Sequence, residues 1–323
     1  MESNSKILSV CLITYNHEKY IRQAIDSVLN QKVDFEFELV IADDCSTDST
    51  RSILLEYKQK YSHFIHLILQ EKNVGPARNW LDLLRFPRSK YIAYFEGDDF
   101  WTDPHKLQKQ IDFLDANPEY NFCIHKVAIL EDGRSYDHTF LPPVSREANF
   151  YTFENLLHHW EIQTSSFVYR NTETLLSDLM VLINDLPFGD IAIAYLLASQ
   201  GKVHYIDEVM SCYRIHQTSS TAPQKGNEIT GNIRFGEAFL VFIDRFNAMT
   251  DFRYDRIIQL YKTRFYFPLA DYHHVVGDFD KVEFYLKKIR SKKPSLIFQN
   301  KRLYLVLSIK LILSKFKRAD AKN

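Results

Sequence analysis

Long hydrophobic runs are absent from this chain of 323 residues. No stretch reaches the roughly 18 uncharged apolar residues of a membrane-spanning helix, so an integral membrane protein is not expected. An excess of charge is missing too. Forty Lys and Arg face forty-one Asp and Glu, a formal net charge of −1. No global field then draws the chain to nucleic acid or another polyanion, and electrostatic specificity has to be local. Cysteine is scarce: Cys11, Cys45, Cys123 and Cys212 lie far apart, with no C-x-x-C pair and no metal-ligand spacing. They read as reduced, mostly buried thiols in a cytosolic protein. The opening Met1-Glu2-Ser3-Asn4-Ser5-Lys6 is polar and runs straight into a strand-like segment, so no secretory signal is expected.

What the chain does have is the run Tyr91-Ile92-Ala93-Tyr94-Phe95-Glu96-Gly97-Asp98-Asp99-Phe100-Trp101. Five strand-forming residues lead directly into three carboxylates around a glycine. A strand of this composition belongs inside a sheet, and its carboxyl end is where open α/β sheets bind ligands. Carboxylates this close repel one another unless a cation sits among them, and a hard divalent ion would complete its shell from substrate phosphates and water. The competing reading is a solvated acidic turn.

The first third alternates strands and helices as βαβ units of a largely parallel sheet do. Strands are expected at 7–14, 37–42, 64–69 and 91–95, and helices at 18–30, 48–61, 76–84 and 106–116. The middle is less regular, with strands expected at 122–130, 164–170 and 203–205 and a helix from about 190 to 200 ended by Gly201. Residues 219–227, rich in Ser, Thr, Pro, Gln and Gly, read as a linker. Helical patterns follow at 229–249, 254–267 and 279–289, and Gly277-Asp278-Phe279-Asp280 with the segment after it resembles one helix pair of a helical-repeat array. This organisation predicts a catalytic domain over 1–223 and a helical region over 224–323.

Other strand ends carry side chains suited to a nucleotide. Thr14-Tyr15-Asn16 ends the first strand, Asp43-Asp44 the second, and Asn73-Val74-Gly75-Pro76-Ala77-Arg78-Asn79 follows the third. Asp44 can accept from a uracil imide, Tyr15 can stack, and Arg78 can pair with the aspartate or the base. Each has a plainer alternative, a helix-capping turn for Asp43-Asp44 and a surface ion pair for Arg78.

These pieces together resemble glycosyltransferase family 2, enzymes of the GT-A fold. The resemblance rests on Ile13-Thr14-Tyr15-Asn16, Val40-Ile41-Ala42-Asp43-Asp44-Cys45-Ser46-Thr47-Asp48, Asn73-Val74-Gly75 with Ala77-Arg78-Asn79, and Tyr94-Phe95-Glu96-Gly97-Asp98-Asp99. It implies a donor site made by Thr14, Tyr15, Asn16, Asp43, Asp44, Asn73, Gly75, Arg78, Glu96 and Gly97, with Thr14 and Asp44 at the base. Glu96-Gly97-Asp98 stands where the family has Asp-x-Asp, so Asp98, with Asp99, would hold Mg²⁺ or Mn²⁺ on the donor diphosphate. Cys45 replaces the usual glycine and Glu96 the usual first aspartate. Phe188-Gly189-Asp190 before a helix is similar to the family's acidic motif, which would make Asp190 the general base; an ordinary helix cap is the alternative. Tyr213-Arg214-Ile215-His216 is similar to the segment that closes the family's catalytic domain, bringing His216 toward the metal. Gln163, Thr164 and Ser165 would border the acceptor, and Trp101 and Trp160 could offer faces to sugar rings or be core.

The implied protein is an inverting, metal-dependent glycosyltransferase of α/β, GT-A class, using a nucleotide-sugar donor, UDP-linked, and a glycan or lipid-linked acceptor in bacterial surface-polysaccharide assembly. A nucleotidyltransferase is the runner-up, but Thr14-Tyr15-Asn16-His17-Glu18 lacks its glycine-rich basic loop. A catalytically silent nucleotide-sugar-binding protein is the other alternative. Residues 301–318 are apolar with lysine and arginine at both ends and Lys310 between. Such a tail can lie in an anionic membrane surface, placing the protein at the inner face of the plasma membrane, or pack as a terminal helix.

Overall fold

Residues 6–131, 134–136, 149–158, 162–183, 189–216, 228–292 and 301–320 are described by the computed structural model. The expected linker at 219–227, the tip of the turn at Gly133 and Trp160 lie outside them. The chain divides into two compact units, Met1–Ala222 and Pro223–Asn323.

The first unit is built on a mixed sheet. Its strands are β1 (Leu8–Thr14), β2 (Phe37–Asp43), β3 (Ile65–Leu69), β4 (Tyr91–Glu96), β5 (Phe100–Trp101), β6 (Tyr120–Glu131), β7 (Arg134–Tyr136), β8 (Phe150–Tyr151), β9 (Phe167–Arg170) and β10 (Lys202–Ile215). They are ordered β3-β2-β1-β4-β9-β6-β10-β5, with β7 beside β6 and β8 beside β10. The long pairings of β1 with β2 and β4, and of β6 with β10, are parallel, whereas β9 and β5 run antiparallel to their neighbours. Leu8, Val10, Cys11 and Leu12 are all fully buried, as a central strand covered on both faces requires. Helices α1 (Ile21–Leu29), α2 (Thr50–Lys60), α3 (Pro76–Leu84) and α4 (Lys106–Ala116) are the crossovers and cover of this half. In α1, Ile21, Ala24, Ile25 and Val28 are buried at i, i+3, i+4 and i+7, the stripe that one face of a packed helix needs. The register aligns Thr14 with Asp43 and Ile13 with Glu96, so three polar strand ends share one edge of the sheet.

The irregular middle differs from expectation in one consequential place. Only Val203 to Tyr205 reads as a strand, because Asp207-Glu208 breaks the apolar pattern. β10 nevertheless runs on to Ile215, absorbing the interruption with register shifts between Ile206 and Val209 and between Val209 and Ser211. Short helices α5 (Phe153–His158) and α6 (Leu175–Leu182) precede α7 (Gly189–Gln200), and residues 164–166 form a 3₁₀ turn rather than the start of a strand.

The second unit is helical: α8 (Glu228–Met249), α9 (Asp255–Val275), α10 (Phe279–Lys292) and α11 (Lys301–Asp320). α9 continues through Pro268, where the sequence pattern ends it. Burial of Phe267, Leu269 and Ala270 in a cluster with Val282, Leu286, Ile289 and Leu307 outweighs the lost backbone bond. No described helix is long and apolar enough to cross a membrane.

Candidate active site

β4 delivers its carboxylates into a tight turn. The Gly97 amide donates to the Ile13 carbonyl at 2.9 Å, and Asp99 N to the Glu96 carbonyl at 3.1 Å. A Cβ on Gly97 would sit 2.9 Å from Thr14 Oγ1 and 3.0 Å from both His17 Nδ1 and Ile21 Cδ1, so a larger residue would have to push these side chains aside. Beyond it, Asp98 is 7% exposed. Its Oδ2 meets His216 Nε2 at 3.0 Å and His17 Nε2 at 3.8 Å, while its Oδ1 is buried without a hydrogen-bond partner. Burial works against the Asp98 anion, yet the His216 hydrogen bond and the adjacent His17 hold the carboxyl below its usual range. Burial pushes Glu96 upward, reinforced by Asp98 and then Asp190.

Asp99 is fully buried, and burial, then Asp98 and Glu96, raise its carboxyl well above the ordinary value. Its Oδ1 accepts the Arg214 amide at 2.9 Å. The Arg214 guanidinium donates to the Asp98 carbonyl and, at 2.7 Å, to Gln23 Oε1. It lies 4.6 Å from the Tyr20 ring centroid and 5.1 Å from that of Phe100. Tyr20 also packs on His216, with ring centroids 4.7 Å apart. Sequence reasoning placed His216 here but gave no part to His17, Tyr20 or Arg214. The available signals were the position of His17 directly after Thr14-Tyr15-Asn16 and of Arg214 two residues before His216.

Among the described residues no group of three or more His, Cys, Asp or Glu side chains is arranged to hold a metal ion. The donors present still suit one. A buried carboxylate oxygen without a partner, beside an imidazole on the other oxygen, matches an ion that takes one or two protein ligands and the rest from phosphate and water. Asp98 and His216 are the residues that would hold it. Asp99, expected beside them, ties β10 onto the turn through Oδ1, while its Oδ2, like Asp98 Oδ1, is buried without a hydrogen-bond partner.

At the neighbouring strand ends the polar groups largely organise the loops. Asp43 is fully buried and receives Ser46 N at 3.2 Å, the Ser46 hydroxyl, and Arg51 Nε at 2.7 Å. These bonds engage the carboxylate in shaping the loop after β2 and in pairing with Arg51, and not in capping α2, whose start has no side-chain cap. Asp44 is 3% exposed and accepts Val74 N at 2.7 Å and Gly75 N at 2.9 Å, shaping the loop after β3. Burial raises its carboxyl against these two bonds. Arg78 pairs with Asp82 at 3.0 Å, one turn along its own helix, and not with Asp44. Asn16, at φ 56°, accepts Thr47 N at 2.8 Å and links the end of β1 to the loop after β2. Cys45 holds the turn in the left-handed region at φ 61°, where the family pattern has glycine. Tyr15 is 41% exposed and Asn73 is exposed, and both remain open to a ligand.

Asp190 occupies the first turn of α7. Its Oδ1 accepts the Ile191 amide at 2.9 Å, and burial lifts its carboxyl to about 6 against that bond. The helix start rests on Trp80: a Cβ on Gly189 would lie 2.6 Å from the indole ring. The acceptor-side expectation needs correction at Trp101. That residue is 5% exposed, donates from Nε1 to the Ser165 carbonyl at 3.0 Å and packs against Phe95 with ring centroids 4.7 Å apart, so it is core. Thr164 and Ser165 are buried with it, Ser165 Oγ meeting Ser211 Oγ at 2.9 Å, whereas Gln163 is half-buried. Burial removes Trp101, Thr164 and Ser165 from a sugar-facing surface.

A sheet with polar strand ends gathered on one edge, a buried Asp–His pair and a carboxylate on a helix start define a GT-A-like α/β fold. The family profile described as glycosyl transferase family 2 matches residues 9–172, and the chain belongs to that family. It is 37% identical over 213 residues to the uncharacterized protein Rv1520 of Mycobacterium tuberculosis, covering 65% of this chain and 59% of that protein. It is 34% identical over 140 residues to the putative teichuronic acid biosynthesis glycosyltransferase TuaG of Bacillus subtilis, covering 43% and 54%. The chain thus spans little more than half the length of these relatives. In fold it is similar to S. aureus TarS 1–349 in complex with UDP, with a TM-score of 0.59 at 18% identity over 94% of this chain and 88% of that one.

Proposed function

We propose that the chain is an inverting glycosyltransferase that moves a sugar from a UDP-linked donor to a hydroxyl of a glycan or lipid-linked acceptor, in bacterial surface-polysaccharide assembly on the cytoplasmic side. The observation that carries this reading is the buried Asp98, with one oxygen on His216 and the other unpartnered, and beside it the raised carboxyl of Glu96, which feels both Asp98 and Asp190. Tyr15, exposed at the end of β1, is suited to stack on the base, and the loop held by Asp44 borders the same edge. Glu96 and Gly97 lie between these and Asp98, where the ribose and diphosphate belong in this reading.

Asp98 and His216 would hold Mg²⁺ or Mn²⁺, which supplies positive charge against the departing diphosphate. Asp190 takes the proton of the acceptor hydroxyl as its oxygen bonds to the anomeric carbon, and the bond from that carbon to the diphosphate oxygen breaks, releasing UDP. A carboxyl lifted to about 6 is still ionised at neutral pH and basic enough for this transfer. The relative named for teichuronic acid biosynthesis, TuaG, supports the polysaccharide setting. The test is donor hydrolysis across a panel of nucleotide sugars with added Mg²⁺ or Mn²⁺. One UDP-sugar should be turned over, and Asp98→Ala should abolish turnover and the metal-dependent part of UDP binding. Undiminished turnover in excess chelator would refute the metal role.

A further inference from the structure

α11 is two-sided. Leu307 is fully buried, and Tyr304 and Leu311 pack beside it on the cluster formed by Tyr266, Leu269, Val282 and Ile289. The Tyr304 hydroxyl is further held by Arg290 Nη2 at 2.6 Å. Leu305, Ile309 and Ile312 recur at i, i+4 and i+7 on another face, with Val306 and Leu313 at its flank. Their exposures are 48, 54, 53, 39 and 54%. At 100° per residue these five side chains cover an arc of about 120°, and Lys310, also exposed, falls at its edge. A helix of a water-soluble surface would place polar residues on that arc.

Charge indicates what covers it. The helix carries Lys301, Arg302, Lys310, Lys315, Lys317 and Arg318 against Asp320 as its one acid, in a chain whose formal net charge is −1. Basic residues at both ends and at the rim of a broad apolar arc match a surface that is apolar inside and anionic outside. The inner face is already occupied by the protein, so the helix is anchored on one side and presents the other. The helix does not qualify as a membrane span, which leaves the in-plane arrangement.

We propose that α11 docks the protein onto an anionic lipid surface, lying in the interface plane with Leu305, Ile309 and Ile312 in the acyl boundary and Lys310 reaching the headgroups. Side chains of this kind bury their apolar stems while the charge stays in the polar layer. The inference does not depend on the glycosyltransferase reading, since it concerns binding to lipid alone.

The experiment is co-sedimentation of the full chain with vesicles of phosphatidylcholine, with and without phosphatidylglycerol, alongside light scattering for mass in solution. Wild-type protein should pellet with the anionic vesicles and release as salt is raised. Ile309→Glu with Ile312→Glu should lower the partition by about tenfold or more at an unchanged melting temperature. Lys310→Gln, which leaves the apolar arc intact, should weaken anionic binding by about fivefold. Absence of pelleting with anionic vesicles, or equal pelleting of the double variant, overturns the proposal. So does a wild-type dimer that the double variant converts to monomer, because a second copy would then cover the arc.

Discussion

Asp190 carries the sharpest consequence at the scale of one residue. Burial raises its carboxyl from the usual range to about 6, with Glu96 and the buried Tyr94 electrostatically adjacent. A folded-state value above the unfolded one means that the native protein binds the proton more tightly. Stability therefore falls as pH rises from about 4 to about 6, and the whole cost is present above that window. Asp190→Asn should melt higher than wild type at pH near 8, by up to about 3 kcal/mol, with the difference vanishing below about 4. Transfer by this variant should drop on the order of 10²–10⁴, and wild-type transfer should itself decline as pH falls through about 6. Melting curves and rates across pH separate this from a plain helix cap, for which the same variant would leave transfer intact. Cys45 sets a smaller effect of the opposite origin. A side chain at φ 61° strains the backbone, and its Sγ contact to the Glu71 carbonyl at 3.6 Å returns little. Cys45→Gly should raise stability by about 0.5 kcal/mol, read as a rise of roughly 1–2 °C in Tm; a fall would mean that the thiol contact outweighs the strain.

Among the elements, β10 decides whether the site exists. It runs beside β6 and β5 and brings Arg214 and His216, 116 and 118 positions later in the chain, to the one residue Asp98. Arg214 fastens the two segments from both ends, through its amide to Asp99 and its guanidinium to the Asp98 carbonyl and Gln23. Arg214→Ala removes both guanidinium contacts and empties the slot between Tyr20 and Phe100. The expected loss is roughly 2–4 kcal/mol in denaturant unfolding, together with weaker metal-dependent UDP binding. Arg214→Lys should recover only part, since an ammonium cannot bridge both acceptors from one planar group. Full recovery by lysine would show that charge alone suffices.

For the molecule as a whole, the strands of the first half and the helices on either side of them were legible in the sequence because their causes are local. Apolar runs such as Val10 to Ile13 and Tyr91 to Phe95 must be covered on both faces, and polar residues can only emerge where the runs end. The same logic announced Asp98, the resemblance to the family added Asp190 and His216, and both left their neighbours hidden. Only the tertiary structure decided that Asp43 belongs to Ser46 and Arg51, that Arg78 turns to Asp82, and that Trp101 closes the core on Phe95. It also decided that His17 and Arg214 join the acid cluster. The physical reason is that a polar side chain takes whichever partner the packed chain brings within about 3 Å. Periodicity specifies which face a residue occupies, while the identity of the group it meets depends on strands paired across long separations and on bulges, as in β10, that no local pattern encodes.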